Sequence, residues 1–199
     1  MDADKPSRLP GRPRREDLDE RILDAALAEM ARVGYTRMSV EGVARAAGTT
    51  RPSVYSRFAS KAELAAKALE SMRLRTPRAH TGDMRADLIE ELSLLRQGAL
   101  RPHGMAMLGA VLAEEHEHPE LLRLYRKHVI APRRANLRRV LQAGRQAGEL
   151  DPEANIELGI TMLVGSLFAA YSAGRPPGRE WPQRVVDAWL RANGMSSRG

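Results

Sequence analysis

The sequence predicts an all-α protein, with an N-terminal three-helix helix-turn-helix head followed by a longer helical body, about nine helices in all. Three observations carry this. Ala, Leu, Arg and Glu, all good helix formers, dominate the 199 residues. Apolar residues recur at three- and four-residue spacing, and no stretch shows convincing strand alternation. Gly and Pro gather in short breaks, as at Gly148–Pro152 and Gly174–Gly178, that separate the periodic segments. The length can bury a small head and a larger body. Zero cysteines exclude disulfides, thiolate zinc sites and a cysteine nucleophile. A net charge of +7 favours a polyanionic partner, and the positive excess is concentrated near the N-terminus.

Residues 1 to 15 carry Lys5, Arg8, Arg12, Arg14 and Arg15 with three prolines and no periodicity, which predicts a disordered basic arm. Gly11-Arg12-Pro13-Arg14 resembles the core of an AT-hook, so Arg12 and Arg14 suit a narrow A·T minor groove; a solvated tail is the alternative. No apolar run follows, so the segment does not read as a signal peptide. The first helix spans about 16 to 33, with Ile22, Ala26, Met30 and Val33 as its inner stripe.

Residues 39 to 61 say most about function. Val40, Val43, Ala44 and Ala47 mark a short helix, capped by Ser39 and ended at Gly48, where glycine takes a left-handed backbone without a Cβ clash. Thr50 caps a second helix with Pro52 in its first turn. Val54 and Phe58 point inward, which leaves Arg51, Ser53, Tyr55, Ser56 and Arg57 on the other faces. Ser60-Lys61-Ala62-Glu63 is a capping box that opens a further helix. Between 32 and 61, Arg32, Arg37, Arg45, Arg51, Arg57 and Lys61 face one acid, Glu41. A helical hairpin with a charged solvent face is the bland reading; a helix-turn-helix offering a basic rod to a major groove is the sharper one.

The ordered set Gly34-Tyr35, Ser39-Val40, Val43-Ala44-x-x-Ala47-Gly48, Tyr55-x-x-Phe58 and Ser60-Lys61-x-x-Leu64 resembles the tetracycline-repressor (TetR) family of bacterial transcription regulators. Gly42 departs from the pattern, where the family often has an acid. The resemblance implies that the helix from about Arg51 to Phe58 is the recognition helix. It implies that Arg51 and Ser53 face bases or phosphates, and that Tyr55 and Lys61 meet the backbone. Thr50, Ser56 and Arg57 flank them, and Ser39 sits at a helix N-terminus suited to a phosphate.

The head is expected to span 16 to 75 and the body 76 to 199, with the boundary near the Thr76-Pro77 break. Body helices are predicted over about 84–98, 105–117, 119–147, 153–173 and 179–192. Pro132 should kink or split the third of these near His128. The run from Leu158 to Ala173 is apolar or small on nearly every face, yet too short and too polar for a membrane span. By resemblance the last two helices form a homodimer interface, which would use Gly159, Met162, Gly165, Ala169, Ala173, Val185 and Trp189. Two recognition helices about 34–36 Å apart would then require a near-palindromic double-stranded DNA operator.

The resemblance also implies a small-molecule effector pocket in the body. Met105, Leu108, Val111, Leu112, Leu121, Tyr125, His128, Met162 and Phe168 are its candidate walls, although each taken singly reads more readily as core. Glu114 to Pro119 packs acids with His116 and His118, but the spacing is not a metal motif and reads as a polar helix end. No nucleophile, phosphate-loop or dinucleotide fingerprint occurs, so no enzyme activity, metal or cofactor is expected. The expected function is a cytoplasmic, nucleoid-associated, ligand-released repressor. An architectural DNA-binding dimer without effector, or a helical enzyme or carrier, are the alternatives.

Overall fold

The computed structural model describes residues 15–72 and 80–193, and among these every regular element is helical. The order is α1 (Arg15–Val33), α2 (Val40–Ala46), α3 (Arg51–Tyr55), α4 (Lys61–Ser71), α5 (Met84–Leu100), α6 (Gly104–Ala113), α7 (Pro119–Tyr125), α8 (Ala131–Gln146), α9 (Ile156–Ser172) and α10 (Trp181–Asn193). The expected arm with Arg12 and Arg14, and the expected boundary near residue 75, lie outside the described residues.

The caps of the head follow from its side chains. Gly42 N–H donates to Ser39 Oγ at 3.0 Å, Ser53 N–H to Thr50 Oγ1 at 3.3 Å, and Glu63 N–H to Ser60 Oγ at 3.1 Å. Each bond satisfies an amide that the helix itself leaves without a partner. Glu63 reaches back to accept from the Ala59 N–H at 2.6 Å, one residue before the Ser60 cap, so the expected box closes in a variant form. Gly48 takes the left-handed φ of +65° that the turn requires. The regular part of the second motif helix ends at Tyr55, three residues sooner than expected, because Ser56 and Arg57 turn the chain so that Phe58 can bury.

A π-helical turn over Arg126–Ile130 joins α7 to α8 without a break, so 119–146 is one continuous rod. Pro132 explains it. Its ring has no N–H for the His128 carbonyl, so the Ala131 N–H bonds to the Arg126 carbonyl and the helix widens. The expected irregularity near His128 therefore takes the form of a bulge rather than a break.

Two buried apolar clusters organise the chain. The first joins Ile22, Met30, Val43, Val54 and Leu64 of the head to Met107 and Val111 of α6 and to Leu121 and Tyr125 of α7. The second joins α5, α8, α9 and α10 through Leu88, Leu92, Leu141, Ile160, Leu163 and Trp189. Although α6 and α7 follow the expected boundary in sequence, their apolar faces complete the core of the head.

Candidate functional site

Two regions of the structure can do chemistry: the outer face of α2–α3 and a cavity between α5, α6, α7 and α8.

On α3 the inward Val54 is 1% exposed, which turns Arg51 and Tyr55 outward. The Arg51 side chain is 56% exposed and Tyr55 is 41% exposed. The guanidinium carbon lies 5.4 Å from the Tyr55 ring centroid and pairs with Glu41 of α2 at 2.7 Å. A hydrogen bond with Tyr55 and the charge of Glu41 both raise the Arg51 pKa above its usual value. Ser39, Thr50 and Ser56 are exposed on the same side and Ser53 is half-buried. Arg45 and Arg37 are also exposed nearby, and sequence reasoning did not single them out as site residues. Their place at the end of α2 and before Ser39 was the available signal.

Two predicted site residues are held by contacts within the chain. Arg57 is 17% exposed, and its Nε pairs with Asp19 of α1 at 2.5 Å while Nη1 donates to the Ser53 carbonyl at 3.0 Å. It straps the motif to α1 rather than projecting from it. Lys61 donates from Nζ to the Thr36 carbonyl at 3.0 Å and sits 4.6 Å above the Tyr35 ring centroid. Its ammonium is therefore engaged with the loop before α2.

The cavity has a volume of about 320 Å³. Met105, Leu108, Tyr125 and Phe168 line it as expected, together with Met72, Leu94, Leu95, Gly98, Ala99, Arg101, Val129 and Arg133. The other expected wall residues lie elsewhere. Val111 and Leu121 are buried in the head's cluster, His128 is buried away from the cavity, and Leu112 and Met162 face outward at 48% and 56% exposure. Helical periodicity marks buried faces without saying whether a buried side chain meets a void or a neighbour.

The same distinction corrects part of the expected interface. A Cβ on Gly159 would stand 2.5 Å from Trp189 Cζ2, so these two residues close α9 against α10 within one chain. Leu158, Met162, Ala169 and Tyr171 are exposed on α9, Gly165 has open space at its Cα, Ala173 is exposed and Val185 is half-buried.

Between the two regions runs a polar latch. At the end of α6 the Glu114 carboxylate accepts from the Thr36 N–H at 2.9 Å and the Thr36 hydroxyl at 2.8 Å. Tyr35 meets His118 edge to face, with centroids 4.6 Å apart. Burial by itself raises the Glu114 carboxyl, but the Thr36 hydrogen bonds and the charges of His118 and Lys61 outweigh it and hold it below its ordinary value. Among the described residues no cluster of His, Asp and Glu could hold a metal ion, and no helix is long and apolar enough to cross a membrane.

Comparison with known proteins decides the family. The description "Bacterial regulatory proteins, tetR family" matches residues 22–68, and "Tetracyclin repressor-like, C-terminal domain" matches 78–189. The chain belongs to the TetR family of bacterial transcription regulators. It is a DNA-binding helix-turn-helix regulator, not an enzyme. A relative in Mycobacterium tuberculosis, described as an uncharacterised HTH-type transcriptional regulator, is 30% identical over 188 residues, which is 93% of this chain and 90% of that protein. The DNA-binding transcriptional repressor TetR of Mycobacteroides abscessus is 28% identical over 172 residues, 83% of this chain and 88% of that one. The flavonoid-responsive regulator FrrA shares the fold with a TM-score of 0.63 and 21% identity, across 92% of this chain and all of that one. The α2–α3 pair of this TetR-family regulator is thus its helix-turn-helix.

Proposed function

We propose that the regulator is a homodimeric repressor that leaves its operator when a small molecule occupies the body cavity. The observation that carries this reading is the double role of α6. Its first turns place Met105 and Leu108 in the cavity wall, and its end holds the head through Glu114 and Thr36. A ligand that shifts α6 therefore acts on the head with no intermediate element. The ligand needs only to bind better to the arrangement in which the heads no longer fit the operator.

On the DNA side, Arg51 leads the reading. Its pair with Glu41 is solvent-exposed and so worth little, which leaves the guanidinium available to a guanine edge or phosphate. Tyr55, Ser39, Ser53, Thr50 and Ser56 supply hydroxyls for phosphates at the ends of α2 and α3. Arg37 and Arg45 add backbone charge at the rim. Arg12 and Arg14 would follow the adjacent minor groove if the arm reaches it. Residues 16–75 form the DNA-reading unit and 76–199 the effector and dimerisation unit, at work in the cytoplasm on the nucleoid.

The dimer would bury the outer face of α9. Leu158, Met162, Gly165 and Ala169 fall at helical spacing on that side, and small residues allow close backbone approach. Two-fold pairing gives a near-palindromic operator with half-sites one helical turn, or a multiple of it, apart. Selection of random-sequence DNA on the purified protein, followed by footprinting, tests the proposal. It expects protected half-sites in inverted repeat. A single unpaired site, or no selected sequence, would overturn it.

A further inference from the structure

We propose that the body cavity is a carboxylate pocket, built for a small monocarboxylic acid whose acid group Arg133 holds and whose apolar part lies against Met72, Leu94, Leu108 and Phe168. The inference deepens the effector reading above and rests on it.

Arg133 enters the cavity from the first turn of α8. Its Nε is sealed from solvent and has no hydrogen-bond partner among the described residues, and it makes no ion pair there. Arg133 as a whole is half-buried, so the cost falls on that one N–H: a donor stripped of water without a partner is unfavourable, and sites that keep one do so where something else completes it. Burial accordingly lowers the Arg133 pKa, against the opposing pull of Tyr125 and Glu91. Gly98 on α5 keeps the fork's neighbourhood open: a Cβ there would come within 3.3 Å of Arg133 Nη2.

Glu91 is the nearby carboxylate, and it is already engaged. It lies 3.4 Å from Asn136 Nδ2 and 3.7 Å from His80 Nε2. Arg101 lines the same cavity, so two cations and no carboxylate stand among its described lining residues, with Glu91 outside it. That lining favours an anion. A planar carboxylate fits the guanidinium fork in two parallel bonds, and the Tyr125 hydroxyl on the wall is a further donor. Burial raises the Tyr125 pKa although Arg133 and Arg101 lower it, so the hydroxyl keeps its proton. Apart from Ser71 and two glycines, the rest of the lining is aliphatic, methionine or phenyl, which suits an alkyl or aryl group.

The test is calorimetric titration of the full-length dimer with hexanoate, octanoate, decanoate, benzoate and 2-naphthoate, each beside its neutral primary alcohol. Wild type is compared with Arg133→Met and Arg133→Lys, with helicity by circular dichroism and mass by sedimentation as fold controls. At least one acid should bind about ten- to a hundredfold tighter than its alcohol, the worth of hydrogen bonds to a charged group. Arg133→Met should erase that preference, and Arg133→Lys should restore part of it. The proposal is overturned if none of the five acids binds, if alcohols match acids, or if Arg133→Met keeps the preference. Operator retardation run in parallel separates the two readings. An acid that binds without releasing DNA supports the pocket and refutes release; release by alcohols but not acids does the reverse.

Discussion

The Glu114–Thr36 latch is where cavity and head meet, and its strength can be stated in advance. The perturbation is Glu114→Ala, with Thr36→Val as its partner in a double-mutant cycle. Two hydrogen bonds end on the ionised Glu114 carboxylate, from the Thr36 N–H at 2.9 Å and its hydroxyl at 2.8 Å. Bonds to a charged group contribute about 1.5–3 kcal/mol each when shielded. Both lie at the surface, where water replaces much of what is lost, so the low end applies and Glu114→Ala should cost about 1–2 kcal/mol. Thr36→Val removes the hydroxyl bond alone and should cost about 0.5–1 kcal/mol. The double variant should be hardly less stable than Glu114→Ala, which leaves a coupling of about 0.5–1 kcal/mol. The assay is urea unfolding followed by circular dichroism at one fixed protein concentration, since unfolding of a dimer depends on concentration. Strict additivity, with coupling below about 0.3 kcal/mol, would show that the latch carries no energy and that α6 does not hold the head through it.

Other outcomes follow from single contacts. Gly159→Val should lower the unfolding free energy by about 1–3 kcal/mol, because even a Cβ there would stand 2.5 Å from Trp189; an unchanged midpoint would show that α9 and α10 pack loosely. Arg57→Met should weaken operator binding and also lower the thermal midpoint, because it cuts the strap to Asp19, whereas Arg51→Ala should weaken binding with the midpoint unmoved. Asp87 and Glu114 both sit below their ordinary values of 3.8 and 4.5, since hydrogen bonds from Thr81, Gly82 and Thr36 overcome the effect of burial. Their stabilisation is therefore complete above those values and lost as pH falls through the lower folded ones; Asp87→Asn and Glu114→Gln should flatten the acid limb of a stability–pH profile. Operator affinity should fall steeply between low and moderate salt, as read by fluorescence anisotropy, because phosphate contacts release counterions.

Much of the head was legible because its signals are local. Ser39, Gly48, Thr50 and Ser60 each act within four residues, and all four cap or turn the chain as their chemistry dictates. Pro132 was legible for the same reason, although whether a missing N–H gives a kink or a π turn depends on the packing of both flanks. The contacts that were not legible depend on partners far along the chain. Arg57 looked free because Asp19 stands thirty-eight positions earlier. Gly159 looked like a docking point because Trp189 lies on the next helix. Arg133 went unnoticed because a basic residue among Arg134, Arg138 and Arg139 reads as one more solvated charge. Its neighbours Arg134 and Arg138 do pair at the surface, both with Glu157. The depth of a side chain within a bundle is a tertiary property, and so is the difference between lining a void and filling one.

Operator recognition rests most directly on the outer face of α3. Operator retardation by Arg51→Ala combined with Tyr55→Ala, on protein whose dimer mass and helicity match wild type, measures that face alone. Loss of the specific retarded complex, with a weak salt-sensitive association left behind, is the predicted result. A double variant that retards the operator as wild type does would place DNA reading elsewhere on the molecule.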